Sequence, residues 1–124
     1  MDNRKIELEY IVNTSPKVLF NRLSTPGGLA EWFADDVNLK GKVFTFIWNN
    51  SEQKAEIIQK KDLKHVRFRW LGDTDDYFEF RLKQDELTGD LALLITDFSD
   101  EDEQEDTIEL WNSQISDLKH ALGL

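Results

Sequence analysis

The stretch that decides the fold is residues 108–122, IELWNSQISDLKHAL, near the C-terminal end of the chain. Six acidic residues between Asp100 and Asp106 precede it and suit the positive end of a helix. We therefore predict a long helix from about Glu101 to Leu122, with Ser99 able to cap its start. Apolar residues recur in it at steps of three and four, which places them on one helix face: Ile108, Trp111, Ile115, Leu118 and Leu122.

Most of the chain before this helix alternates between apolar and polar residues, which is the period of a β-strand. The clearest case is residues 65–70, HVRFRW, whose two arginines point away from the apolar face. We expect these arginines to meet Glu79 across the outer face of a sheet. Similar alternation predicts further strands near residues 6–12, 37–48, 52–60, 78–83 and 91–98.

Two helix starts follow the first strand. Ser15-Pro16 and Thr25-Pro26 each place a capping hydroxyl before a proline at the first helical position. Gly27-Gly28 weakens the second helix, so it should be short.

This order of elements predicts a single α+β domain over residues 1–124. An antiparallel sheet with one apolar face must be covered, and only the C-terminal helix is long enough to cover it. We expect a helix-grip arrangement with a six- or seven-stranded antiparallel sheet. Two short helices follow the first strand, and the long C-terminal helix packs on the sheet.

Composition excludes several classes of function. The chain has no cysteine, which rules out disulfides and zinc–thiolate sites. Its 25 acidic and 15 basic residues give a net charge of −10, which opposes binding to nucleic acid or anionic membranes. No run of apolar residues is long enough for membrane insertion. The first ten residues, MDNRKIELEY, lack the apolar core of a secretory signal, so we expect a cytoplasmic protein.

The sequence contains no recognisable catalytic or metal-binding motif. Zinc-protease, nucleophile-elbow, Walker and dinucleotide motifs are absent, and we predict no catalytic residue, metal ligand or cofactor. The carboxylates fall in loops and helix turns, and none occupies a position assigned to the interior. These observations favour a binding module over an enzyme.

The aromatic residues are the candidate site. Four tryptophans and eight phenylalanines are many for 124 residues. They either line an apolar pocket between helix and sheet or fill that space themselves. The pocket hypothesis assigns ligand binding to nine residues: Trp32, Phe46, Trp48, Phe68, Trp70, Phe78, Trp111, Ile115 and Leu118. Because no charge is expected on these walls, the ligand should be a neutral or weakly polar hydrophobic molecule.

The whole pattern resembles the START-like, or Bet v 1-like, helix-grip superfamily. Within it, the chain is similar to small bacterial proteins related to the activator of Hsp90 ATPase. The resemblance rests on NTSPKVLFNRLSTPGGLAEWF after the first strand, HVRFRW, LLITDFSDED and the closing ELWNSQISDLKHAL. Trp32 and Trp111 match the family's tryptophans at the end of the helix pair and in the closing helix.

The resemblance implies two functions. One is a START-like module that binds a small hydrophobic molecule or lipid between the C-terminal helix and the sheet. The other is a protein–protein adaptor with a filled core, like the relatives that act with a chaperone. Short turns where relatives have longer loops favour the filled core. The sequence does not indicate an oligomeric state.

Overall fold

The computed structural model describes residues 3–72 and 74–124. Its seven strands form one antiparallel sheet, as the sequence predicts. Two short helices follow the first strand, and a long helix follows the last. The elements are β1 (Arg4–Ile11), α1 (Pro16–Ser24), α2 (Pro26–Leu29), β2 (Asp36–Lys40), β3 (Val43–Trp48), β4 (Ser51–Lys61), β5 (His65–Trp70), β6 (Tyr77–Gln84), β7 (Leu91–Ser99), a 3₁₀ turn (Glu101–Glu103) and α3 (Gln104–Ala121). The strand order across the sheet is β1-β7-β6-β5-β4-β3-β2.

The two predicted helix starts are confirmed. The Ser15 hydroxyl accepts a hydrogen bond from the backbone N–H of Val18 at 3.1 Å, and Pro16 begins α1. The Thr25 hydroxyl accepts from the N–H of Gly28 at 3.0 Å, and Pro26 begins α2. As expected, α2 is only four residues long.

Strand register brings the aromatic residues onto one face of the sheet. Phe68 lies opposite Phe78 across β5 and β6, and Phe80 lies opposite Ile95 across β6 and β7. Helix α3 covers this face, and its Trp111 ring lies 5.9 Å from the Phe80 ring. The core is therefore a layer of rings and aliphatic side chains between the sheet and the helices.

Two local predictions are wrong. Ser99 does not cap a helix: its hydroxyl donates to the Asp100 carbonyl, while the Asp100 side chain accepts from the N–H of Asp102 at the start of the 3₁₀ turn. Only one of the two arginines reaches Glu79. Arg67 Nε lies 3.1 Å from its carboxylate, whereas Arg69 pairs with Glu56 at 3.4 Å, because Glu56 is its direct neighbour on β4.

Candidate functional site: a tryptophan-lined cleft

An open cleft of about 1050 Å³ lies along one side of α3. The segment 30–35, between α2 and β2, forms the opposite wall. Trp48 and Trp70, the last residues of β3 and β5, contribute to it from the sheet, together with Asp97 of β7. The sequence predicts a pocket between the closing helix and the sheet, whereas this cleft lies mainly between that helix and segment 30–35.

All four tryptophans of the chain line this cleft: Trp32, Trp48, Trp70 and Trp111. Three of the indole N–H groups are used to orient the rings. Trp32 donates to the Arg22 carbonyl at 2.8 Å, Trp48 to the Phe33 carbonyl at 2.7 Å, and Trp111 to the Asp97 carboxylate at 2.8 Å. For Trp70, which is half-buried, no such bond occurs within residues 3–72 and 74–124.

The other five predicted binding residues lie in the packed core and do not line the cleft. Their exposed fractions do not exceed 2%. They are Phe46, Phe68, Phe78, Ile115 and Leu118. Trp32 and Trp111 are also buried, at 6% and 4% exposed, so only the edge of each ring reaches the cleft. Trp48 and Trp70 are the half-buried tryptophans of its wall.

Phe33 separates the core from the cleft. Its ring stacks on Phe78 at 5.4 Å and on Trp111 at 5.9 Å, and it meets Phe46 edge to face at 5.0 Å. It also lines the cleft. Its carbonyl accepts from Trp48 and from the Gln114 side chain of α3 at 3.2 Å, which ties segment 30–35 to both sheet and helix.

Asp97 corrects the expectation that no acid faces the interior. It lies on the face of β7 that carries Leu93 and Ile95, and its carboxylate accepts from Trp111 at 2.8 Å. Burial raises the pKa of Asp97 above its ordinary value, and the charge of Asp76 adds to this. The bonds from Trp111 and from the Phe98 N–H oppose that rise. The alternation of residues 91–99 was the signal that could have identified it.

The lining as a whole combines flat apolar rings with a few polar groups. Besides Asp97, the polar groups are Glu31, Asp35, Gln53, Thr107, Ser113, Gln114, Asp117 and His120. In the described part of the chain, no three histidine or acidic residues cluster closely enough to hold a metal ion. Such a wall can bind a small molecule through ring contacts and orient it through a few hydrogen bonds.

Solved structures share this fold. A Bacteroides fragilis protein solved by NMR is 44% identical, with a TM-score of 0.70 over 100% of this chain and 94% of that one. The Aha1 dimer from Colwellia psychrerythraea is 19% identical, with a TM-score of 0.82 over 96% of each chain. A Mesorhizobium loti protein is 17% identical, with a TM-score of 0.80 over 97% of each. No curated protein is similar enough to match.

Nothing helical in residues 3–72 and 74–124 has both the length and the apolar character needed to cross a membrane. The family model for the START-like superfamily domain matches residues 1–124, which is the whole chain. The predicted resemblance is thereby confirmed, and the chain belongs to the START-like superfamily.

Proposed function

We propose that this protein is a non-enzymatic START-like module that binds a small, largely hydrophobic molecule in the cleft. The observation that carries the proposal is the convergence of all four tryptophans on one opening. Its volume of about 1050 Å³ lies just above the range typical of ligand sites, roughly 300–1,000 Å³. The half-buried rings of Trp48 and Trp70 would lose further apolar area to water when a ligand covers them, which supports binding there.

A thermal-shift screen with hydrophobic small molecules tests this proposal. A ligand present at about one hundred times its Kd should stabilise the fold by about 2.7 kcal/mol. Tryptophan fluorescence should change with the same midpoint, since the indoles form the wall. A screen over neutral aromatics, sterols, fatty acids and hydrophobic amines in which neither signal responds would contradict the proposal.

A matched pair of variants locates the binding site. Trp70 lies at the end of β5 and lines the cleft, whereas Phe98 is a half-buried ring on the opposite face of the sheet, packed on Tyr77 at 4.9 Å. Trp70→Ala should weaken binding, and Phe98→Ala should leave the Kd unchanged. Equal effects of the two substitutions would place the ligand elsewhere.

A protein–protein adaptor is the second candidate. The filled ring layer beneath α3 favours it, because an adaptor needs no internal space. The rim of the cleft also carries Leu110, whose exposed fraction is 60%. One of the similar structures is of an Aha1 dimer, so the assay is the ATPase rate of a bacterial Hsp90 with and without this protein. Stimulation that Leu110→Asp abolishes would favour the adaptor, and an unchanged rate would count against it.

A further inference from the structure

The charges on the cleft wall are of one sign. Four carboxylic residues line it, whereas no lysine or arginine appears among the described lining residues. His120 is the one lining side chain that can become cationic. The four acids are Glu31, Asp35, Asp97 and Asp117.

Only one of these acids has a cationic partner in the described ranges. Arg22 Nε lies 2.7 Å from the Glu31 carboxylate, an ion pair whose angles are not those of a hydrogen bond. The Asp35 carboxylate accepts a hydrogen bond from the backbone N–H of Asn49 at 2.7 Å, and this neutral donor supplies no counter-charge. Asp97 and Asp117 form no ion pair there, so three carboxyl groups of the wall lack a counterion within residues 3–72 and 74–124.

The indoles add a second attraction for positive charge. The face of an indole ring is the best aromatic partner for an ammonium group, and an aromatic wall with carboxylates suits a protonated amine. Trp48 and Trp70 are the half-buried indoles of this wall, so their rings can meet a ligand. The Trp111 ring is only 4% exposed, and its N–H holds the Asp97 carboxylate at 2.8 Å on the same wall. A negatively charged ligand would lie against three carboxyl groups that lack a counterion, and their repulsion would exclude it.

We propose that the ligand of the cleft is a cationic amphiphile, in which an aromatic or aliphatic body lies on the indoles and a protonated amine faces the Asp97 and Asp117 side chains. This inference rests on the proposed function and deepens it by assigning the chemical class of the ligand. It replaces the neutral ligand that the sequence alone predicts, because that prediction assumed walls without charge.

The test uses three naphthalene compounds that differ in one group: 2-(1-naphthyl)ethylamine, the corresponding alcohol and 1-naphthaleneacetate. Their Kd values are measured calorimetrically at neutral pH and low salt. The amine should bind at least about tenfold more tightly than the alcohol, a factor equal to about 1.4 kcal/mol. The acetate should bind most weakly. Raising the salt concentration should reduce the preference for the amine.

Asp117→Asn and Glu109→Gln form the matched control. Both remove one negative charge from exposed positions of α3, but only Asp117 lines the cleft. Asp117→Asn should weaken amine binding by roughly threefold and leave alcohol binding unchanged. Glu109→Gln should change neither by a comparable factor, which separates a local contact from the field of the net charge of −10.

The results distinguish the two proposals. If the alcohol or the acetate binds as tightly as the amine and competes for the cleft, the inference fails and the binding function stands. If none of the three binds while neutral hydrophobic ligands shift the melting temperature, the inference fails in the same way. If Glu109→Gln and Asp117→Asn act equally, the selectivity belongs to the net charge and the inference is overturned.

Discussion

Asp97 is the acidic residue that joins the sheet, the closing helix and the wall of the cleft. Its carboxylate fixes the Trp111 ring, and both residues line the cleft. Ionisation in this partly apolar place is costly because burial removes water from the charge. The pKa of Asp97 is therefore raised, and the indole N–H and the Phe98 N–H offset part of that cost.

The stability of the protein should depend on pH through this group. Because the folded pKa of Asp97 is raised, the unfolded chain loses this proton first as pH rises from the ordinary value of 3.8. The contribution of Asp97 is thus complete below 3.8 and declines as pH rises through the folded pKa. Asp97→Asn has no proton to lose, so its stability relative to the wild type should increase over that window. Urea unfolding at several pH values measures the difference.

Asp85 provides the control with the opposite sign. Its pKa is lowered, mainly by hydrogen bonds from the backbone N–H groups of Thr88 and Leu87. Its contribution is present above 3.8 and is lost as pH falls through its lowered folded pKa. Asp85→Asn should therefore lose stability relative to the wild type as pH rises. The same pH trend in both variants would contradict the burial argument for Asp97.

The sequence predicts the role of a residue well where that role depends only on neighbours along the chain. Ser15 and Thr25 cap helices because each hydroxyl reaches an N–H three residues ahead. Arg69 was assigned the wrong partner because pairing depends on strand register, which alternation alone does not set. The expectation that no acid faces the interior is wrong at Asp97, because alternation along β7 places it on the same face as Leu93 and Ile95.

At the scale of elements, the join between α1 and α2 depends on close backbone approach. The Thr25 hydroxyl donates to the Asn21 carbonyl at 2.8 Å while it accepts from Gly28, so the two helices share one cap. A Cβ on Gly28 would lie 2.2 Å from the Asn21 carbonyl oxygen and 2.7 Å from Arg22 Cα. Gly28 is therefore required for packing, a role that its effect on helix propensity does not reveal.

The two adjacent glycines give a direct test of this packing. Gly28→Ala should lower the free energy of unfolding by about 1–3 kcal/mol, since rigid backbone must move. A Cβ on Gly27 meets nothing within 4 Å. Gly27→Ala should be neutral or stabilising by up to about 1 kcal/mol, because it restricts the unfolded chain. Urea denaturation of both variants measures the two effects. Similar losses of unfolding free energy in both would show that helix propensity, and not the backbone contact at Gly28, determines the result.

The sequence predicts the elements but not how they divide the space between them. Periodicity shows that Phe46, Phe68 and Phe78 face inward, and the structure confirms this with rings that are fully buried. Periodicity does not show that the Phe33 ring would enter the layer and leave Trp48 and Trp70 half-buried beside an opening. That outcome depends on where segment 30–35 docks, which tertiary contacts with Trp48 and Gln114 determine.

At the scale of the whole molecule, one ring separates a packed interior from an open cleft. Phe33 contacts rings from the sheet and from α3, and its exposed fraction is only 4%. Replacing Phe33 with a smaller side chain should therefore connect part of the filled interior to the cleft.

Phe33→Ala tests this division of space. Loss of the ring should cost about 3–5 kcal/mol and lower the Tm by roughly 10 °C or more. Because the space it leaves would join the cleft, indole should enter it and raise the Tm in a concentration-dependent way, as apolar cavities bind apolar solutes. Phe44→Ala is the control, since Phe44 is 1% exposed and does not line the cleft. It should lose similar stability, but its enclosed hole is too small for a bicyclic ring and indole should give no rescue. Calorimetric melting of both variants with and without indole measures this difference. An equal rise in Tm in the two variants would show that Phe33 does not separate the core from the cleft.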